Sequence, residues 1–150
     1  MNITDRLKLI ILEKSNKEII RIKSLLKKTD FNFQIKVLKD NSTYNEAVNK
    51  FSPDIVIADF FVNDLTAIDA ISIAKKKDAA IIFIIFTDPV DESSAVKCLK
   101  NGAWDYILKN KSEKLIPSIL KIPSELCSIK DLYRSSLFRI VSEEYLLSNS

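Results

Sequence analysis

Short apolar runs alternate along this chain with longer segments whose apolar residues recur every three or four positions. The short runs predict buried β-strands, and the longer segments predict amphipathic helices. The predicted strands are 7–12, 33–38, 55–58, 80–86 and 105–108. The predicted helices are 17–28, 43–51, 67–76, 91–100 and a fifth that begins after Ser112. Five strand–helix units with right-handed crossovers are satisfied by an α/β fold, a doubly wound parallel sheet between two helical layers.

Polar and small residues mark where the predicted helices begin and end. Ser15 or Asn16 can accept hydrogen bonds from the first free amides of the first helix, and Ser42 or Asn41 can open the second. Gly102 is the only glycine, and it follows the fourth helix where a left-handed residue is needed. The residues expected to face the core include Ile20, Ala95, Val96 and Leu99.

The pattern changes after Leu120, where Pro123 interrupts the helix and no strand-like run follows. Apolar residues then recur at helical or heptad-related spacing, namely Ile122, Leu126, Ile129, Tyr133, Ile140 and Leu147. We therefore expect one domain over 1–121 and a C-terminal helical extension or linker over 122–150. Three roles stay open for the extension. It packs back on the domain, forms a homodimer with a second copy, or connects to a downstream sensor, kinase or output domain.

Composition and charge exclude several classes of function. The chain has 150 residues, 47% of them hydrophobic, which suffices for one sizeable core. The net charge of +3 is spread over the chain, so we expect no nucleic-acid partner. There is no histidine, which excludes a histidine kinase and an imidazole base. The two cysteines lack metal-ligand spacing, and the absence of signal-like or membrane-length apolar runs predicts a cytoplasmic protein without a membrane partner.

Each central strand is followed by polar residues at its carboxyl end. The first strand ends in Glu13 and Lys14, the third in Asp59, the fourth in Thr87 and Asp88, and the fifth in Lys109. The carboxyl ends of parallel strands meet at one edge of such a sheet, which is where ligands bind. The sequence therefore predicts that these side chains surround one pocket.

This set of side chains suits phosphoryl transfer to a carboxylate. Asp59 is the candidate nucleophile, Lys109 supplies a cation for a phosphoryl oxygen, and the Thr87 hydroxyl can donate to another oxygen. Glu13 and Asp59 also offer the hard oxygen ligands that Mg²⁺ prefers.

The segment 7–120 resembles the receiver domain of two-component response regulators. The resemblance rests on four stretches, Ile10–Glu13, Pro53–Asp59, Ile84–Thr87 and Asn101–Lys109. It implies a flavodoxin-like sheet in the order 2-1-3-4-5, as in chemotaxis regulators. It also implies that the domain is not an enzyme, apart from catalysing its own phosphotransfer and dephosphorylation. Asp59 would receive the phosphoryl group from the phosphohistidine of a sensor histidine kinase or phosphotransfer protein.

The same resemblance assigns further roles at the pocket. It implies that Mg²⁺ is bound by Glu13, Asp59 and the backbone carbonyl of Phe61. Thr87 would move toward the phosphoryl group, and Tyr106 would be the aromatic ring that rotates with it. These two residues would then couple phosphorylation to the surface formed by the fourth helix and fifth strand.

Three departures from the family pattern all affect this pocket. Lys14 stands where the family has a second acid, so we expect Mg²⁺ binding to be weak or absent, with the Lys14 ammonium pairing with Asp59 in its place. The loop after Asp59 lacks the usual proline and glycines, and Asn110 replaces the proline after Lys109. The alternative function is therefore a degenerate receiver that binds partners without phosphate. A nucleotide- or flavin-binding enzyme is disfavoured, because one glycine cannot form a glycine-rich phosphate loop.

Overall fold

Seven strands form two separate sheets in the computed structural model, which describes residues 6–122. The strands are β1 (Leu7–Leu12), β2 (Phe33–Leu38), β3 (Ile55–Ala58), β4 (Phe61–Val62), β5 (Leu65–Thr66), β6 (Ile82–Thr87) and β7 (Asp105–Leu108). The main sheet is parallel throughout, in the order β2-β1-β3-β6-β7. The short strands β4 and β5 pair as an antiparallel hairpin. Without that hairpin in the count, the order is the predicted 2-1-3-4-5, which confirms the fold class.

Helices cover both faces of the main sheet. They are α1 (Asn16–Leu26), α2 (Tyr44–Phe51), α3 (Ala67–Lys77), α4 (Glu92–Lys100) and α5 (Leu115–Leu120), the last preceded by a 3₁₀ helix, Lys109–Lys114. One hydrophobic cluster lies between the sheet and helices α1 and α5. A second cluster lies between the opposite face and helices α2, α3 and α4. The result is the predicted three-layer sandwich.

The middle strands are apolar because both of their faces are covered. Every residue of β3 and β6 is buried, whereas edge strand β2 alternates between half-buried and exposed positions along most of its length. Continuous apolar runs are typical of strands at the centre of a parallel sheet. The bounds of β1, β2, β3 and β7 agree with the prediction, and β6 begins two residues later than the predicted 80–86 because residues 78–81 form a turn after α3.

The helix ends agree with the prediction in two of three cases. The Ser15 hydroxyl accepts from the Glu18 amide at 3.3 Å, as the cap of α1. Gly102 has a φ of +108°, which is the left-handed conformation expected after α4. The expected opening of α2 at Ser42 or Asn41 is wrong, because Thr43 occupies the N-cap position.

Three of the residues expected to face the core are exposed instead. Ile20 is 64% exposed, Val96 43% and Leu99 47%. In α1 the buried stripe runs through Ile19, Ile22 and Leu26, and Ile20 lies about 100° past Ile19, outside that stripe. In α4 the fully buried residue is Cys98, and residues 96 and 99 lie on the outer side.

The predicted extension 122–150 lies outside the described residues except for Ile122, as does Cys127. Within 6–122, Cys98 is a free, buried thiol. No helix in that same range combines the length and the apolar character that crossing a bilayer requires.

Candidate functional site

The pairing of β1 with β3 brings Glu13 and Asp59 next to each other. Leu12 is paired with Ala58 at the carboxyl ends of the two strands, and the Asp59 amide donates to the Leu12 carbonyl at 3.0 Å. Glu13 and Asp59 are the next residue on each strand. Two carboxylates therefore stand side by side at the edge of the sheet where the strands end.

Lys109 brings an ammonium group to both carboxylates. It follows β7, whose last residue is paired with the last residue of β6. Its Nζ lies 2.8 Å from Glu13 Oε1 and 3.0 Å from Asp59 Oδ2. One cation thus joins the ends of three strands that are distant in the sequence.

The three charged groups differ in their access to solvent. The side chain of Glu13 is 3% exposed and that of Lys109 is 9% exposed, whereas that of Asp59 is 21% exposed. Buried charges at this edge are therefore held by pairing with each other. Asp59 is the carboxylate of the pair that an incoming reagent can reach.

Backbone amides hold the other oxygen of each carboxylate. Glu13 Oε2 accepts from the Ser15 amide at 3.1 Å, and Asp59 Oδ1 accepts from the Phe60 amide at 2.7 Å. Glu13 Oε1 faces the ammonium as an ion pair without an aligned hydrogen bond. Each carboxylate is thus fixed by the backbone on one side and directed at Lys109 on the other.

The environment of Lys109 favours its charged form. Burial acts to lower the pKa of the ammonium, but the Glu13 and Asp59 carboxylates outweigh it and raise the pKa above the ordinary lysine value. Lys109 is therefore a cation at every physiological pH.

The expected pairing of Lys14 with Asp59 is wrong. Lys14 is exposed, and it forms no ion pair within the described part of the chain. Lys109 takes the position instead, because it approaches from β7 and is buried between the two carboxylates, whereas Lys14 follows Glu13 and faces solvent.

Thr87 and Tyr106 lie on the two strands beyond Asp59. Thr87 is the last residue of β6 and is 2% exposed. The Tyr106 hydroxyl accepts from the Val90 amide at 3.3 Å, which ties β7 to the loop between β6 and α4. Burial raises the pKa of Tyr106, the Val90 amide opposes this, and the nearby Cys98, Asp91 and Asp59 raise it further.

The hairpin that follows Asp59 was not predicted from the sequence. Phe61 lies in β4 and is 56% exposed, with its ring edge-to-face on Phe60 at 4.7 Å between centroids. Asn63 occupies the turn with a φ of +56°. The available signal was Asn63-Asp64 between two apolar residues, since both types are common in two-residue hairpin turns.

Oxygen ligands for a cation are few at this edge. Among residues 6–122, no group of three or more histidine, cysteine, aspartate or glutamate side chains is placed to hold a metal ion. Glu13 and Asp59 supply two carboxylates of the kind that Mg²⁺ prefers, and the Lys109 ammonium lies between them. A divalent ion bound here would share those oxygens with Lys109.

The chain belongs to the response regulator receiver domain family, whose model matches residues 9–121. Receiver domains are generally phosphoacceptors of two-component systems rather than enzymes. They interact with histidine kinases or phosphotransfer proteins, and they typically bind Mg²⁺.

Solved structures of similar fold include three bacterial receivers. A DNA-binding response regulator of the LuxR family from Staphylococcus aureus is 26% identical, with a TM-score of 0.67 over 77% of this chain and 97% of that one. A response regulator receiver domain from Clostridium thermocellum is 23% identical, with a TM-score of 0.63 over 75% and 90%. The receiver domain of a histidine kinase from Syntrophus aciditrophicus is 24% identical, with a TM-score of 0.59 over 75% and 85%. No curated protein matches the sequence.

Proposed function

We propose that this domain accepts a phosphoryl group on Asp59 from the phosphohistidine of a sensor histidine kinase or phosphotransfer protein. The observation that carries the proposal is the pairing of Asp59 with Lys109 at the open edge of the sheet. Asp59 is the more exposed of the two paired carboxylates, and its Oδ2 already faces the cation that phosphoryl transfer requires.

The transfer follows from these groups. Asp59 Oδ2 attacks phosphorus, the new P–O bond forms as the donor's P–N bond breaks, and the electron pair leaves with the donor's imidazole. The Lys109 ammonium shifts from the Asp59 carboxylate to a phosphoryl oxygen, and the Thr87 hydroxyl donates a hydrogen bond to another phosphoryl oxygen. Hydrolysis of the resulting acyl phosphate by the same groups would reset the domain.

We propose that Mg²⁺ binds weakly, through Glu13, Asp59 and the Phe61 carbonyl. When bound, the ion supplies positive charge to the phosphoryl oxygens. Two features weaken its binding. Lys109 competes for the same carboxylate oxygens, and Lys14 adds a positive charge where the family pattern has an acid.

The switch would run from the phosphoryl group through Thr87 to Tyr106. If Thr87 moves toward the phosphoryl group, the Tyr106 ring would rotate and lose its contact with the Val90 amide. The surface formed by α4 and β7 would then change. The exposed Val96 and Leu99 of α4 support a partner contact on that surface.

A second candidate is a phosphate-independent interaction module. The observation in its favour is that Lys109 already pairs with both carboxylates, while Lys14 replaces the acid that would recruit the metal. Such a domain would keep the receiver fold and bind partners constitutively. The cytoplasmic location inferred from the sequence stays a prediction under both candidates.

Mass spectrometry separates the two candidates. The protein is incubated with a small acyl phosphate donor, with and without Mg²⁺, and the intact mass is recorded. Phosphoacceptor function predicts one added phosphoryl group, lost in Asp59→Asn and retained in Asp64→Asn, an exposed acid of the nearby hairpin. Absence of the adduct at saturating donor would refute the phosphoacceptor proposal and support the interaction module.

A further inference from the structure

A groove lies along one side of the edge strand β2, between that strand and the C-terminal half of α1. Its volume is about 540 Å³. Its apolar lining and basic rim are formed by Leu26, Phe31, Phe33, Ile35, Lys23 and Lys27. The rings of Phe31 and Phe33 meet edge-to-face, with centroids 6.2 Å apart. The groove therefore suits a short apolar segment that carries acidic residues at its margin.

The groove keeps apolar side chains in partial contact with water. Phe31, Phe33 and Ile35 are only half-buried, although they pack against the same hydrophobic cluster as α1 and α5. Further burial of such surface is favourable, at about 25 cal/mol for each Å² removed from water. An apolar segment that reaches the groove would thus be held there.

The described chain ends close to this face of the domain. Helix α5 ends at Leu120, and Ile122 is 1% exposed inside the cluster that also contains Leu26. Ile122, the last described residue, therefore lies on the face of the sheet that carries the groove. A second groove, of about 450 Å³, opens on the other side of β2 against α2.

The sequence after Ile122 has the features that fit the groove. Leu126, Ile129 and Tyr133 are spaced by three and four residues, which places them on one stripe of a helix. The step from Ile122 to Leu126 spans at most about 13 Å when extended. Neighbouring strands are about 4.8 Å apart, so an extended chain from residue 122 to residue 126 can reach across more than two strand spacings of the sheet.

We propose that residues 123–133 of the same chain dock in the groove between α1 and β2. Leu126 and Ile129 enter the apolar lining, and Glu125, which flanks their stripe, lies toward the lysines of the rim. Glu125 is opposite in charge to Lys23 and Lys27 of that rim. Docking covers the exposed edge of the sheet, which otherwise offers a template for pairing with other chains.

This proposal is independent of the phosphoacceptor function. The groove residues belong to α1, β2 and the turn between them, and none of them is Glu13, Asp59, Thr87 or Lys109. Failure of phosphorylation would leave the docking proposal intact, and failure of docking would leave the phosphoacceptor proposal intact.

Cross-linking through the native thiol of Cys127 tests the proposal. Lys27→Cys places a second reactive thiol at an exposed position on the groove rim, and Lys23 remains to pair with the acidic side chain of the segment. The other native thiol, Cys98, is fully buried, and burial raises its pKa, so it reacts slowly. The matched control is Lys77→Cys, an exposed lysine at the end of α3 on the opposite face of the sheet.

Both full-length variants are treated with a short bismaleimide at low protein concentration, digested, and analysed by mass spectrometry. We expect an intramolecular link between positions 27 and 127 in several-fold higher yield than between 77 and 127. Adding Ile129→Glu to Lys27→Cys should lower that yield several-fold, with unchanged fluorescence of Trp104 as evidence that the domain is folded. Equal yields from positions 27 and 77, or links formed only between two chains, would overturn the proposal.

Discussion

Lys109→Met removes the cation from between Glu13 and Asp59, and it should destabilise the domain more than any ordinary surface substitution. Methionine keeps an unbranched apolar stem in place of the lysine stem, so the packing loss is small. The main effect is electrostatic. Glu13, 3% exposed, would be left as a buried carboxylate without its partner.

The structure sets the size of the effect. Removing one partner of a buried ion pair costs about 3–5 kcal/mol, because the remaining charge stays desolvated. Asp59 is 21% exposed, so water can replace part of what it loses. We therefore expect a loss near the lower end of that range, about 3 kcal/mol in the free energy of unfolding.

Urea unfolding followed by the fluorescence of the single tryptophan measures this loss. Trp104 donates its indole N–H to the Ser118 carbonyl at 3.0 Å, so its emission reports the packing of α5 on the sheet. Glu13→Gln should lower the free energy of unfolding by less, about 1–2 kcal/mol, because Lys109 still pairs with Asp59 and the amide oxygen still accepts from the backbone. The double variant, Lys109→Met with Glu13→Gln, should lose about 2 kcal/mol less than the sum of the two single losses.

Lys50→Met is the matched control for the lysine substitution. Its pair with Glu46 has the same charges but lies on the surface, with side chains 77% and 62% exposed, so we expect little change. A Lys109→Met variant as stable as Lys50→Met, or additive losses in the double variant, would refute the buried pairing of Lys109 with Glu13.

Three further predictions follow from contacts elsewhere and from pH. Gly102→Ala should lower the unfolding free energy by about 1–2 kcal/mol in urea titration, because alanine is strained at a φ of +108° and its Cβ would lie 3.2 Å from the Lys75 side chain. Tyr44→Phe should cost about 1 kcal/mol by the same assay, because the buried hydroxyl donates to a carbonyl of α3 at 2.8 Å. The pKa of Lys109 is raised on folding, so its contribution is fully present below the lysine pKa of the unfolded chain and is lost as pH rises through the folded value. The stability difference between wild type and Lys109→Met, measured by thermal unfolding, should thus be constant from neutral pH to about pH 10 and shrink above it.

The patterns that predicted the fold are local and strong. Continuous apolar runs such as Ile55–Ala58 are typical of strands at the centre of a parallel sheet that is covered on both faces. The single glycine lies just after α4, where a left-handed residue is needed. Those signals were sufficient for the α/β class, and they gave every end of the five main strands and of the first four helices to within two residues. The strand order was implied by the resemblance to receiver domains. Exposure within the helices was harder to predict, since Ile20 and Leu99 are apolar residues that the helical rotation turns outward.

The sequence by itself determined which side chains reach the carboxyl edge of the sheet. Glu13, Asp59, Thr87 and Lys109 each follow an apolar run, and parallel strands deliver such residues to one edge. Only the tertiary structure decided which cation pairs with Asp59. Lys14 and Lys109 carry the same charge, but the strand register buries Lys109 between two carboxylates and turns Lys14 to solvent. Charge pairing depends on distance and burial, and neither can be read from the order of residues.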